Sequence, residues 1–316
     1  MRAVQVVRFG GPEVLEAVEV PQVEAAAGEA VVDVVAAEVL FLDTQLRAGW
    51  GQEYFSVRPP FIPGAGVAGV VRAVGDGADA GLVGRRVIAG TGGVGTYNGG
   101  GYAEQVAVPM AEVFAVPDEL EMTVALAALH DGATALAQLD LGKVAAGERV
   151  LVTAAAGSLG SWLIPLLSAT GATVVAAARG DAKLQYARGL GADQVVDYSA
   201  PGWTDGLDAV DVVFDGAGGD IGRAAYAITR SGGRFLAYGA ASGEFAGTSG
   251  NRDVAVVGIF QPDPVAWREL PRRALRDLAA GRIQPTIGQT FPLTEAAAAH
   301  AAIESRTTGG KTLLLT

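Results

Sequence analysis

Three stretches of this chain carry the spacing of a phosphate-binding turn. GAGVAG at 64–69 and GTGGVG at 90–95 match G-x-G-x-x-G letter for letter, and TAAAGSLGS at 153–161 matches it with Ala155 in place of the first glycine. Spacing alone does not bind a phosphate. A strand must deliver the turn and a helix must follow it, because the free N–H groups and positive end of the helix hold the pyrophosphate. GAGVAG runs into VVRAVGDG, a strand and a turn, and GTGGVG runs into TYNGGGYAEQ, which cannot open a helix. Their glycines are expected at hairpins and barrel corners. TAAAGSLGS follows RVLVTA and precedes the apolar helical pattern SLGSWLIPLLSATGA. Ala155, Gly157, Ser158, Leu159 and Gly160 are therefore the expected pyrophosphate turn. Gly157 admits the phosphate, Ser158 adds a hydroxyl and Gly160 lets the helix approach the sheet.

The end of the next strand selects the cofactor. NAD enzymes place Asp or Glu there for the ribose 2′-hydroxyl. Here VVAAARGDAK offers Ala178 and then Arg179. Arg179 and Lys183 would attract a 2′-phosphate that a carboxylate would repel, and Tyr198 adds a hydroxyl. NADP(H) is expected. The glycine-rich ends VVFDGAGG and RFLAYGAASG make Gly216, Ala217, Gly218, Tyr238, Gly239 and Ala240 candidates for the nicotinamide half. If a bound nicotinamide passes hydride to an electrophilic carbon, one donor must meet the atom where charge develops. Gln45, Tyr54 and the Thr134 hydroxyl are candidate donors, and His130 is a candidate proton donor. The aromatic stretch GWGQEYF at 49–55 is placed to cover a flat substrate or to pin a loop to the core.

Composition narrows the alternatives. The chain has 316 residues, no cysteine, two histidines and a net charge of −11. Without cysteine there is no disulfide, no thiolate nucleophile and no cysteine-based zinc site. His130 and His300 lie far apart in sequence, and no metal site is expected. An acidic chain without a basic cluster is a poor partner for nucleic acid or an anionic membrane. The start shows no signal-peptide pattern, and a cytoplasmic protein is expected. Residues 150–178 carry no charge, but three glycines and Pro165 divide them into strand, turn, helix and strand, as in a buried parallel sheet. No Y-x-x-x-K, G-x-S-x-G or H-E-x-x-H motif occurs.

The elements that must position these residues fall into two textures. Up to about residue 118, short β-branched runs are punctuated by Gly and Pro, which predicts a β-rich unit. From 119 to 262 strands and helices alternate, which predicts a doubly wound parallel sheet. From 263, PVAWRELPRRALRDLAAGRI predicts an amphipathic helix. TFPLTEAAAAHAAIES predicts a strand and a helix with Thr294 as N-cap, and GKTLLLT a last strand docking on the first unit. The predicted class is α/β, with residues 1–118 and 263–316 forming one domain and 119–262 the other.

In FGGPEVLE, FIPGAGVAGVVRAVG, GGGYAEQVAVP, GERVLVTAAAGSLGS, LGADQVVDYS and TTGGKTLLL, the whole chain resembles the medium-chain dehydrogenase/reductase superfamily in its zinc-free quinone oxidoreductase branch, the zeta-crystallin-like enzymes. The resemblance implies a GroES-like substrate domain built from both chain ends and a central Rossmann domain. It also implies NADPH in the cleft between them and a homodimer joined through the edge strand DVAVVGIF. It adds Asp43, Phe260 and Lys311 to the expected cofactor contacts. The implied reaction is metal-free hydride transfer from NADPH to a quinone, enal or enone. An enoyl reductase of acyl thioesters and a non-catalytic NADPH-binding protein are the alternatives. One departure concerns the family pattern NFxDTYxRxG, which reads LFLDTQLRAG here. Asp43 and Arg47 match it and are expected to pair in shaping the cleft. Leu40 replaces the Asn and Gln45 the Tyr, which leaves the substrate open.

Overall fold

The computed structural model describes residues 1–92, 99–249, 253–258 and 263–316. In chain order the elements are β1 (Arg2–Val6), β2 (Leu15–Glu19), β3 (Glu29–Val39), α1 (Phe41–Ala48), β4 (Gly66–Val74), β5 (Arg86–Gly90), β6 (Gln105–Pro109), β7 (Val113–Ala115), α2 (Met122–Leu126) and a π-helical turn (Ala128–Gly132). There follow α3 (Ala133–Gly142), β8 (Arg149–Val152), α4 (Gly160–Ser168), β9 (Thr173–Ala178), α5 (Asp181–Gly189), β10 (Gln194–Asp197), β11 (Val210–Asp215), α6 (Gly219–Ala227), β12 (Thr229–Ala237) and β13 (Ala255–Val257). The chain ends with α7 (Pro264–Ala279), β14 (Ile287–Pro292), α8 (Ala296–Glu304) and β15 (Lys311–Leu315).

Two compact units result, Met1–Ala133 with Pro262–Thr316, and Thr134–Gln261. In the first, the sheet runs β14-β15-β3-β4-β5-β7, and β6 also pairs with β3. β15 lies antiparallel to β3, with Thr312 opposite Val39 and Leu314 opposite Ala37. The last strand therefore docks on the first unit as expected. Its driving force is the apolar LLL run, since Leu313 and Leu314 are fully buried and apolar burial stabilises in proportion to area. Residues 119–133, grouped in the sequence reading with the central domain, pack in this first unit, because α2 lies against β3, β4 and β5. Thr294 does not cap a helix. It sits inside a 3₁₀ turn at Leu293–Glu295, and α8 starts one residue later with Glu295 at the N-cap position.

In the second unit the sheet order is β10-β9-β8-β11-β12-β13, with every pairing parallel. Counted from β8, this is the 3-2-1-4-5-6 order of a dinucleotide-binding sheet. Strands buried on both faces read as continuous apolar runs, and β8, β9 and β11 are buried almost throughout. The order reverses between β8 and β11, and the crevice beyond the carboxyl ends of such strands is where ligands bind.

Candidate cofactor and active site

The turn leaving β8 carries the first half of the site. Ala155 is buried and donates its N–H to the Ala177 carbonyl at 3.1 Å. Ala154 adopts φ 52°, the left-handed conformation that bends the chain without a glycine at 155. A Cβ on Gly160 would collide with the Ala155 backbone, so this glycine seats the start of α4 against the strand. Gly157 differs. It is exposed, and a Cβ there would meet only the Ala154 oxygen, at 3.3 Å. Among the described residues the N–H groups of Ser158, Leu159 and Gly160 have no protein acceptor, and the buried Ser158 hydroxyl has no partner. An open glycine, a run of unspent N–H groups and an orphaned hydroxyl at the head of a helix fit a pyrophosphate.

The exit from β9 carries the second part. Arg179 is exposed, Gly180 takes φ 77°, and α5 starts at Asp181. Asp197, at the end of β10, accepts the Gly180 N–H at 3.0 Å and the Ser199 hydroxyl at 2.6 Å. The Ser199 hydrogen bond and the nearby Arg179 charge hold this carboxyl below the ordinary Asp range. Tyr198 pairs its N–H with the Ala178 carbonyl at 3.1 Å, and Lys183 lies half-buried in the first turns of α5. Arg179, Lys183 and Tyr198 thus share one end of the β9–β10 pair, where Ala178 brings no carboxylate of its own and Asp197 of the neighbouring strand is the acid.

At the sheet reversal two loops are tied together. The Thr153 hydroxyl donates to Asp215 Oδ1 at 2.6 Å and accepts the N–H of Gly216 and Ala217 at 3.0 and 3.1 Å. Asp215 also accepts the Gly218 N–H, and its carbonyl accepts the N–H groups of Tyr238 and Gly239. The amides of Gly216, Ala217 and Gly218 are therefore spent inside the protein and shape the loop. The glycines serve each other here, since a Cβ on Gly239 would press on Gly216 and one on Gly216 on the Tyr238 ring. Ala240 closes the turn by accepting the Gly243 N–H. Burial pushes the Asp215 carboxyl up, and burial beside Asp215 pushes the Tyr238 phenol up. Thr153 is the residue that sequence reasoning missed at this point. Its signal was a lone hydroxyl directly after an apolar strand.

The first unit holds the remaining candidates. His130 sits on the π-helical turn, a geometry frequent at functional sites, and its side chain is 32 % exposed. Its Nδ1 bonds to Glu38 Oε1, while the other Glu38 oxygen accepts from Lys311 Nζ, which also reaches Asp131 at 2.5 Å. Glu38 is fully buried. Burial raises its carboxyl, but the charges and hydrogen bonds of His130 and Lys311 outweigh this and hold it at about 2. Burial lowers the His130 imidazole and the Glu38 carboxylate more than offsets it, so the net direction is up. Lys311, expected among the cofactor contacts, is instead buried in this cluster, with Asp131 and Glu38 raising it against burial. Sequence reasoning missed Glu38. A single charge inside the apolar run VVAAEVL was the signal.

Asp43, also expected at the cofactor, lies in the interior. Its carboxylate caps α1 by accepting the Leu40 N–H at 2.8 Å and accepts from the Tyr102 hydroxyl at 3.4 Å. Arg47, expected to pair with it, is held by Glu304, the Gly10 carbonyl at 3.0 Å and His300 Nδ1 at 3.4 Å. His300 is fully buried, with Tyr102 at 2.9 Å from Nε2. Burial and the Arg47 charge push its imidazole down to about 3. Gln45 is half-buried on α1, and Tyr54 is 74 % exposed with its ring 6.5 Å from that of Trp50. Thr134 opens the second unit, half-buried at the start of α3. Phe260 lies outside the described residues, as does part of GTGGVG. Among the described residues no group of three or more His, Cys, Asp or Glu is arranged to hold a metal ion, and no helix is long and apolar enough to cross a membrane.

Comparison with known proteins agrees with this architecture. The family profile described as "Alcohol dehydrogenase GroES-like domain" matches residues 26–118, and that described as "Zinc-binding dehydrogenase" matches 190–314. A 2-haloacrylate reductase of a Burkholderia species is 33 % identical over 88 % of this chain and 87 % of its own. A probable quinone oxidoreductase of Schizosaccharomyces pombe is 32 % identical over 99 % and 96 %. The solved structure of Escherichia coli quinone oxidoreductase complexed with NADPH superposes with a TM-score of 0.88 at 26 % identity, covering both chains fully. With this sheet order, this strand exchange between the chain ends and these relatives, the chain belongs to the medium-chain dehydrogenase/reductase superfamily, in its quinone oxidoreductase branch.

Proposed function

We propose that the protein is an NADPH-dependent reductase that delivers hydride to a quinone or an α,β-unsaturated carbonyl compound without a metal ion. The observation that carries this reading is the contrast between two strand ends. β8 runs into a turn in which, among the described residues, the N–H groups of Ser158, Leu159 and Gly160 have no acceptor, and β9 ends at Ala178, which brings no carboxylate of its own, with Arg179 next. The first suits a pyrophosphate and the second a ribose 2′-phosphate. The relatives named for reduction of quinones and of a 2-haloacrylate support the acceptor class.

When bound, NADPH supplies the hydride; the protein supplies grip, orientation and charge. Gly157, Ser158, Leu159 and Gly160 would hold the pyrophosphate, and Arg179, Lys183 and Tyr198 the 2′-phosphate. The Thr153–Asp215 link fixes the Gly216–Gly218 and Tyr238–Ala240 loops beyond the sheet. Gln45, Tyr54 and Thr134 are donors for the acceptor oxygen and His130 for the proton. The two domains are the substrate unit from the chain ends and the cofactor unit between them. β13 is the outermost strand of its sheet, and a homodimer would form there by continuing the strand ladder.

NADPH consumption with a panel of quinones, enals, enones and 2-haloacrylates tests the reading. Turnover with at least one member is expected. NADPH binding without turnover of any acceptor would favour a non-catalytic protein, and turnover of acyl thioesters alone an enoyl reductase.

A further inference from the structure

The cluster around Glu38 has a charge pattern that packing alone does not require. Two carboxylates, Glu38 and Asp131, share one ammonium, that of Lys311. With only these three the cluster carries a net negative charge in the protein interior, where uncompensated charge is expensive. A protonated His130 balances it. The geometry is directional as well. Nδ1 is bound inward to Glu38, and Nε2 has no partner among the described residues on a side chain that is one-third exposed. The strand opposite makes room for this, since a Cβ on Gly66 would collide with Glu38 Oε1 and with Leu129. Of the elements packed on the His130 turn, α2 carries no charge. In β5, Arg86 bonds to the Asp118 and Leu120 carbonyls, and in α7 Arg268 bonds to Glu112 and Arg272 to Glu269. The charges that act on His130 are Glu38, Lys311 and Asp131.

We propose that His130 is the proton donor that completes the reduction, and that Glu38, clamped by Lys311, is the positioning residue that fixes the imidazole with Nδ1 inward and Nε2–H outward. The proposal rests on the reductase reading above. Hydride arriving at the β-carbon of an enone leaves an enolate, and hydride arriving at a quinone leaves a hydroquinone anion. The electron pair of that anion takes the Nε2 proton, so an N–H bond breaks and a C–H or O–H bond forms. The neutral imidazole then regains a proton from water. Glu38 acts through His130 and touches no substrate, which is the role of the orienting acid in a base-and-orienter pair.

Because the chain has two histidines, ¹⁵N imidazole NMR reads both directly, and His130→Gln assigns them. At pH 7 His130 is expected doubly protonated and His300 neutral. Glu38→Gln should lower the His130 midpoint by about one unit or more. Lys311→Met should move it the other way, which keeps the test alive if Glu38→Gln does not fold. In steady-state reduction of an enone, His130→Gln should lose about 10²–10⁴-fold in kcat with NADPH affinity unchanged. Wild-type kcat should fall as pH rises through the His130 midpoint, and this limb should shift to lower pH in Glu38→Gln. A neutral His130 at pH 7 in the wild type would overturn the positioning role, whatever the activity. Wild-type turnover and an unshifted pH profile in His130→Gln would overturn the proton-donor role. Failure of the reductase reading shows separately, as a wild-type protein that binds no NADPH in calorimetry or reduces nothing in the panel.

Discussion

The glycine-rich segments at 64–69 and 154–160 look alike in sequence and pack differently. In the first, every glycine faces protein. A Cβ on Gly64 would strike the Tyr102 ring, one on Gly66 the Glu38 carboxylate, and one on Gly69 the Asp33 carbonyl of the neighbouring strand. In the second, Gly160 faces protein, while a Cβ on the exposed Gly157 would meet only the Ala154 oxygen, at 3.3 Å, and among the described residues the next three N–H groups have no acceptor. A glycine pressed against backbone is a packing device; an exposed glycine at the head of a helix leaves room for a ligand. The letter-perfect motif is closed by packing, and the imperfect motif is the one proposed to bind.

Substitutions that add a side chain at each place sharpen this contrast. The largest effect on folding is expected from Gly69→Ala, whose methyl group meets backbone that cannot yield. A loss of about 3 kcal/mol in chemical denaturation is expected, in the range of core overpacking, with NADPH affinity unchanged in the protein that still folds. Gly157→Val should do the reverse. Its melting temperature should stay near the wild-type value while NADPH affinity falls about 100-fold, or about 2.7 kcal/mol. Normal NADPH affinity in this variant would mean that the pyrophosphate lies elsewhere. Arg179→Ala should weaken NADPH about tenfold, or about 1.4 kcal/mol, and leave NADH nearly unchanged in a competition titration. Equal loss for both coenzymes would remove the 2′-phosphate assignment.

The smallest effect at neutral pH belongs to His300, whose neighbour Tyr102 also walls Gly64. Its folded pKa of about 3 lies below the usual 6.5. Between these values the unfolded chain binds a proton that the folded chain refuses, so stability is full above pH 6.5 and declines as pH falls toward 3. Urea midpoints measured across that window should fall less steeply in His300→Gln than in the wild type. Parallel curves would show that the acid response arises elsewhere.

Much of the second unit was legible because it is built from local signals. Apolar runs such as TVVAAA and the alternation of strands and helices fix a parallel sheet whatever the rest of the chain does, and the turn after β8 follows from its neighbours in sequence. The first unit was less legible. Thr294 looked like an N-cap because capping preferences are local, and the 3₁₀ turn that displaced it depends on how α8 seats. Asp43 and Lys311 were expected at the cofactor from the resemblance, and the sequence shows their charge but not their burial.

By itself, the sequence determined the alternating strands and helices of the second unit, the absence of thiol chemistry and the strand–turn–helix order around 153–161, since these depend on residues within a few positions of one another. Only the tertiary structure decided which charges are partners. Glu38, Asp131, His130 and Lys311 come from a strand near the start, a turn in the middle and the last strand. Burial beside one another shifts Glu38, His130 and Lys311, because a charge taken out of water is governed by whatever stands beside it, and adjacency across 273 residues is a property of the fold.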